Sequence, residues 1–436
     1  MSAGQNATHI AAHNRAVVLD VVRRDGPVTR SALTTRTALT AQTVSNIAAR
    51  LLADGLVRET GAAVRETGAA VRETGAAVRE TGAAVRETGA AVRVAGPVAG
   101  RRLELAPDGR FAVGIHLDPA QVSVVLLDLA GGLVAEQHLG AADVDDPSST
   151  LDAMAGAVDH LVTAAGIDRA RVAGIGVAAP GPIEQDRAAL GAPVQLASWS
   201  GVPIAAELAE RTGFPVRIEK DVVASALAEW WTARSTEDLV SVYLGYGVGA
   251  GIVVGGEVVR GGTGNAGEFG GIPVHAHGGW TELWEACQPL QQVRRGVGAG
   301  LLPPVAEDPA SVRAAFEQLC ALPAARPLLA EAGAALGSAL VHVVELLDVQ
   351  RVVVGGSAAL AGGATLLDAL HARLFERLGS RRAPAVAFTA LGEDVVARGA
   401  ACAVLLTSAP AGPVVPAVRQ VRTGGPARAR DIAHPW

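Results

Sequence analysis

Three cysteines occur in 436 residues. Cys287, Cys320 and Cys402 lie far apart, and an odd, scattered set excludes the disulfide framework of a secreted domain. Long apolar runs are missing as well: none reaches the roughly 18 to 20 residues that would span a bilayer. The opening stretch, MSAGQNATHIAAHNRAVV, has no continuous apolar segment ahead of a small-residue cleavage site, so no signal peptide is read. A cytoplasmic protein without a membrane partner is expected. Lysine is all but absent, Lys220 being the single instance. Apolar residues, by contrast, make up half the chain, which permits a sizeable core and excludes wholesale disorder. The length predicts two or three domains.

Charge is unevenly spread. Residues 1–58 hold seven arginines and three aspartates, a net +4, whereas the whole chain is −6. A basic head on an acidic body suits a nucleic-acid reader joined to a part that does not meet nucleic acid. A small helical domain that is merely basic has the same composition, so charge alone decides nothing.

The head reads as three short helices. Val17, Val18, Val21 and Val22 recur at helical spacing around Asn14 to Arg24, and Gly26-Pro27 ends that run. Thr29 is positioned as the N-cap of a second helix. A turn near Thr37 to Leu39 leads to a third, capped by Thr40, in which Val44, Ile47, Leu51 and Leu52 fall on one face. The opposite face carries Gln42, Thr43, Ser45 and Asn46, with Arg50 a turn later. Short polar side chains at the exposed start of a second helix can approach base edges, and Gln or Asn pairs with adenine through two hydrogen bonds. Thr40, Thr43 and Arg50 are placed for phosphates. The alternative is a plain three-helix bundle with a solvated face. Asp54-Gly55-Leu56-Val57-Arg58 favours the DNA reader, because it ends the helix and starts a strand, as a winged helix requires.

From Val57 to Ala91 the unit Val-Arg-Glu-Thr-Gly-Ala-Ala occurs five times without change. Seven is the coiled-coil period, but each unit offers a single β-branched apolar residue and a glycine costing about 1 kcal/mol in a helix. Residues 57–96 are therefore expected to be a loosely ordered insertion in the wing. Gly100-Arg101-Arg102-Leu103-Glu104-Leu105, within residues 97–110, reads as the returning strand and linker, and adds Arg101 and Arg102 to the DNA-contact candidates.

Past Pro107-Asp108-Gly109 the pattern turns α/β. Phe111–Leu117, Gln121–Leu129 and Leu133–Leu139 read as strands, followed by a helix over 148–165 and a strand over 171–177. A second set begins near Leu239. Two β-β-β-α units with glycine-rich turns match the actin and hexokinase type of fold, the ribonuclease H-type two-lobed architecture, over residues 111–408. The Pro-, Gly- and Arg-rich tail, 409–436, is expected to be disordered.

Three segments carry a more specific signal: GIGVAAPGPIEQ, WSGVPIAAELAERTGFPVRIEKDVVASALAE and LGYGVGAGIVVGGEVVRGGTGNAGEFGGIPV. Together they closely resemble the ROK family of repressors, open reading frames and sugar kinases, over most of residues 10–408 and including the winged helix of its repressor branch. The departures bear on function. Where ROK kinases carry Asp-x-Gly-Gly-Thr-Lys, this chain has His116-Leu117-Asp118-Pro119-Ala120-Gln121. A proline and an added carboxylate remove backbone donors and bring like charge, so polyphosphate binding is not expected. In Gly245-Tyr246-Gly247-Val248-Gly249 the glycines remain, and Tyr246 stands at the usual threonine.

The resemblance implies a ligand pocket that is half retained. Asp221 matches the catalytic base, Lys220 replaces an asparagine, Glu268 matches a sugar-contacting glutamate, Glu285 is a second such candidate, and Gln195 stands where an asparagine contacts sugar. Every cysteine of the family's zinc cluster is gone. His275 and His277, with Glu282 and Cys287 nearby, are a weak alternative metal set, and a zinc-free loop is expected. No cofactor and no catalytic residue are assigned. The expected protein is a homodimeric or homotetrameric regulator that binds a double-stranded DNA operator and responds to a sugar or sugar derivative. An active sugar kinase and a ligand-blind DNA-binding protein are the alternatives.

Overall fold

The fold is described from a computed structural model covering residues 3–61, 101–234, 236–380 and 383–408. The inner copies of the repeat and the C-terminal tail expected at 409–436 lie outside the described residues.

In the head, α1 (Ala3–Asp25) precedes β1 (Val28–Thr29), α2 (Arg30–Thr37) and α3 (Ala41–Ala53). The first helix starts well before the predicted Asn14, since nothing stronger than Gly4 interrupts it. Thr29 and Thr40 cap the next two, their hydroxyls accepting the amides of Ala32 and Thr43. Each such cap contributes on the order of 1 kcal/mol. Val44, Ile47 and Leu51 are buried as expected, whereas Leu52 is only partly covered. Gly55, at φ +69°, supplies the left-handed turn that redirects the chain into β2 (Val57–Thr60). That strand runs antiparallel to β3 (Arg102–Leu105), with Val57 opposite Leu105 and Thr60 opposite Arg102. β1 flanks β3 on its other side, giving the order β1-β3-β2. The first repeat unit thus supplies the outgoing wing strand.

The body has two lobes. The first is a five-stranded sheet, ordered β10-β7-β4-β5-β6, from β4 (Phe111–Asp118), β5 (Gln121–Asp128), β6 (Leu133–His138), β7 (Val172–Ala179) and β10 (Val216–Lys220). The short pair β8 (Ile183–Glu184) and β9 (Ala189–Leu190) lies on its rim, and α4 (Pro147–Ala164) and α5 (Ile204–Thr212) cover one face. The other face receives α6 (Asp221–Ala233) and α12 (Val395–Ser408). With both faces covered, β4 and β5 read as nearly continuous apolar runs rather than alternating ones.

The second sheet, ordered β13-β12-β11-β16-β17, uses β11 (Leu239–Leu244), β12 (Val248–Val254), β13 (Glu257–Val258), β16 (Arg351–Gly355) and β17 (Ala385–Phe388). Between these run the hairpin of β14 (Pro273–Ala276) and β15 (Gly279–Glu282) and the helices α7 (Leu283–Cys287), α8 (Pro289–Gly298), α9 (Pro309–Ala321), α10 (Arg326–Leu347) and α11 (Ser357–Leu378). Although no unbroken apolar run of membrane length exists, Pro323–Leu347 is long and apolar enough by composition to cross a bilayer. Leu329, Leu336, Leu340 and Val344 pack it into the second lobe's core, the place of a buried core helix.

Glycine sets the distance between central layers. A Cβ on Gly114, Gly176 or Gly399 would lie under 2.0 Å from a backbone oxygen of Ala397, Ala400 or Ala224 respectively. Only glycine lets α12 settle this closely onto β4, β7 and α6. That contact brings the end of β4, the end of β10 and the start of α6 to one cleft.

Candidate ligand cleft and DNA-reading face

β10 ends at Lys220 and α6 begins at Asp221, so the strand-to-helix junction delivers two ionisable side chains to the cleft. The ammonium of Lys220 donates to Glu268 Oε1 at 2.5 Å and to the Asn265 carbonyl at 3.2 Å. The pair is asymmetric: the Lys220 side chain is 4% exposed and that of Glu268 is 74% exposed. A buried cation is thus neutralised by a carboxylate reaching in from the solvent side. Gly181 makes room for it, since a Cβ there would lie 3.1 Å from Lys220 Cε. Asn265 is a further member that the sequence reading did not single out. Its amide ties the loop to Ile183, accepting from the Ile183 amide at 2.6 Å and donating to its carbonyl at 3.0 Å.

Burial pushes the Asp221 carboxyl up to about 7, with Lys220 opposing the shift and the Glu268 and Asp118 carboxylates adding to it. Near neutral pH this group can therefore either accept or donate a hydrogen bond. Gln195 approaches from the first lobe, its amide 3.7 to 3.8 Å from where a Cβ on Gly247 would stand. Glu285 is on α7, its carboxylate accepting the Thr281 hydroxyl. Lys220, Asp221 and Glu268 are thus brought together, Gln195 sits against the second glycine loop, and Glu285 is engaged locally.

The altered loop is a two-residue hairpin in which Asp118 pairs with Gln121. Asp118 Oδ1 accepts the Ala120 amide at 2.8 Å. Its Oδ2 accepts the Tyr243 hydroxyl at 3.3 Å. Pro119 has no N–H to offer, and the loop's other donor is consumed by an internal carboxylate. His116 lies edge-on to Tyr243, ring centroids 5.5 Å apart. Burial holds the imidazole below its usual pKa and drives the Tyr243 phenol well above its own. A triphosphate would face a carboxylate where the loop would need to supply donors.

The residues here do not fit the family's zinc. His275 stacks edge-on against Trp280, with centroids 5.8 Å apart, and His277 Nδ1 lies 2.8 Å from Glu331 on α10. Among the described residues no three His, Cys, Asp or Glu side chains converge as a metal set. Burial pushes the Cys287 thiol far up, away from thiolate character.

On the head, Thr40, Gln42, Ser45, Asn46 and Arg50 are exposed along α3, and Thr43 is half-exposed. Gln42 Nε2 donates to Asn46 Oδ1 at 3.0 Å. The pair is then a single unit with the Gln42 oxygen and the Asn46 amino group unspent, an acceptor and a donor like those an adenine edge requires. On the wing, Arg101 and Arg30 clasp Glu59, each at 2.7 Å. Arg102 is exposed beside them.

A model described as the ROK family matches residues 112–406, and one described as the MarR family matches residues 13–65. The architecture is a MarR-type winged helix followed by a sugar-kinase-like two-lobed domain. The chain belongs to the ROK family. It is 30% identical over 172 residues to a glucokinase of Halalkalibacterium halodurans, a match covering 39% of this chain and 52% of that one. It is 22% identical over 276 residues to the xylose repressor of Bacillus subtilis, covering 62% of this chain and 63% of the repressor. The chain therefore spans less than two thirds of these relatives. A solved ROK family transcriptional regulator, described as a homolog of the E. coli MLC protein, superposes with TM-score 0.65 at 20% identity, covering 92% of this chain and 98% of that one.

Proposed function

We propose that this chain is a ligand-responsive DNA-binding regulator, a repressor of carbohydrate uptake or catabolism genes, that has given up phosphotransfer. In this reading α3 enters the major groove, with Gln42 and Asn46 reading bases and Thr40, Thr43, Ser45, Arg50, Arg101 and Arg102 holding the backbone. A sugar or sugar derivative occupies the cleft at Lys220, Asp221 and Glu268, with Gln195 and Glu285 at its edges. Asp221 exchanges a hydrogen bond with a ligand hydroxyl instead of activating it. Two copies, or four, present paired winged helices to an inverted repeat, in the cytoplasm where the operator is.

The observation that carries this reading is the Asp118 carboxylate seated on the Ala120 amide, in a chain whose head turns the polar face of α3 outward. The xylose repressors among the relatives support the same assignment by their names. The test has two arms. Thermal shifts across neutral, amino and acidic sugars, with and without Mg-ATP, should reveal one stabilising sugar and no effect of nucleotide. Transfer of labelled phosphate from ATP to any hexose would restore the kinase reading, and no stabilising sugar would favour a ligand-blind DNA-binding protein.

A further inference from the structure

Arg23, near the end of α1, is 3% exposed, an unusual place for a guanidinium. It is held by both domains. From its own helix, Asp20 Oδ1 accepts from Nε at 3.2 Å and from Nη2 at 2.8 Å. From the body, the Trp231 carbonyl accepts from Nη1 at 2.5 Å. The guanidinium carbon lies 4.5 Å from the ring centroid of Trp230 and 4.8 Å from that of Trp231. Cation–π contacts of this kind reach about 2 kcal/mol when desolvated.

The two indoles occupy the last turn of α6, where helical carbonyls lack intrahelical partners and the dipole is negative. Arg23 therefore caps the C-terminal end of α6 with a charge of the favourable sign. The other end of α6 is Asp221, in the ligand cleft. At 1.5 Å per residue, Asp221 and the Trp231 carbonyl that holds Arg23 are about 15 Å apart along the helix. Between them the helix is gripped on two sides, since a Cβ on Gly251 would meet the Val222 oxygen at 1.9 Å and one on Gly399 the Ala224 oxygen at 1.7 Å. Contacts this close make α6 move as a rigid piece or not at all.

The seat at the far end is incompletely satisfied. The indole N–H of Trp231 is buried without a hydrogen-bond partner. Leaving such a donor unpaired costs about 1 to 3 kcal/mol, so this docking geometry holds unspent polar potential. A cleft beside it, lined by Ala16, Leu19, Leu105, Leu129 and Leu405, separates part of the head from the body.

We infer that α6 is the connecting rod between the ligand cleft and the DNA-reading head, and that Arg23, stacked on Trp230 and Trp231, is the positioning residue that couples the head to it. A change at Asp221 then reaches α1 through α6, carried with the β12 and α12 backbones packed against it, and one guanidinium. This inference rests on the roles proposed above for the cleft and for α3, yet its test needs neither a known sugar nor a known operator.

The experiment is hydrogen–deuterium exchange on the full chain, with Asp221→Asn as the perturbation and Arg23→Ala as the cut. In the natural background, Asp221→Asn should change exchange over residues 18–25 by about fivefold or more, the lower end of ordinary site-to-site coupling. With Arg23→Ala the same perturbation should leave that stretch unchanged while α3 stays protected, and Arg23→Lys should restore part of the response. Should Arg23→Ala unfold the head, Trp230→Leu removes one face of the stack and carries the same comparison. An Asp221→Asn effect that is absent in the natural chain, or undiminished without the clamp, overturns the inference. A sugar panel without any response would remove the ligand reading and leave this comparison standing.

Discussion

Tyr243, on the second lobe, donates its hydroxyl across the interlobe cleft to Asp118 on the first. The bond closes the cleft at the point where the resemblance placed a phosphate loop. A carboxylate and a phenol, both buried, hold the lobes together there, and the Asp118 side chain also occupies its own loop's backbone donor.

Tyr243→Phe tests that closure. Removing the hydroxyl strands a buried carboxylate oxygen, so denaturant unfolding should show a loss of about 1 to 3 kcal/mol. Asp118→Asn keeps one acceptor oxygen for the Ala120 amide and turns an amino group toward the Tyr243 oxygen, which can accept from it, so it should cost less. Equal stability of Tyr243→Phe and the natural chain would show that the bond contributes nothing.

Asp221 should make stability depend on pH in a particular direction. Its folded pKa is raised to about 7 from the ordinary 3.8, so the burial penalty is absent below about 4 and fully present above about 7. Stability should therefore fall as pH rises through that window. Asp221→Asn should be the more stable form at pH 8 and lose its advantage near pH 4, as melting curves at both values will report. A pH-independent difference would contradict the assignment.

Lys220 opposes the rise at Asp221. Lys220→Met should move the Asp221 inflection to higher pH, followed by carboxyl NMR, while Glu268, already open to solvent, loses only a partner. An inflection that stays in place would mean that Lys220 is too well screened to matter.

Gln42 and Asn46 should act as one unit in DNA binding. Each alanine variant is expected to lose about 1 to 3 kcal/mol of specific affinity. Because the two side chains share a hydrogen bond, the double variant should lose less than the sum. Arg102→Ala should instead weaken binding to all sequences and flatten its salt dependence. Full additivity of the two alanines would show that the pair is not read together.

Much of this was legible in residue order. The caps Thr29 and Thr40 and the Gly55 turn are local signals, and local chemistry fixes the winged helix. The lobes were legible from two β-β-β-α units with glycine-rich turns, and the changed phosphate loop from Asp118 and Pro119 themselves. The limits came with distance along the chain. Nothing near Arg23 marks it as buried, because its indole partners lie about two hundred residues away in sequence. The Lys220–Glu268 pair and the Asp118–Tyr243 bond likewise join segments that only the fold brings together. His275 and His277 show the converse: their spacing suggested one shared ligand set, whereas the hairpin turn at His277, with φ 54°, hands one imidazole to Trp280 and the other to Glu331.

The most direct test of the account is recovery of the genomic fragments bound by the full chain, followed by a gel shift on the strongest one with single sugars and with Mg-ATP. The account predicts one sharp site beside carbohydrate transport or catabolic genes, released by one sugar and unaffected by ATP. Binding with no preferred fragment, or release that requires ATP, would contradict it.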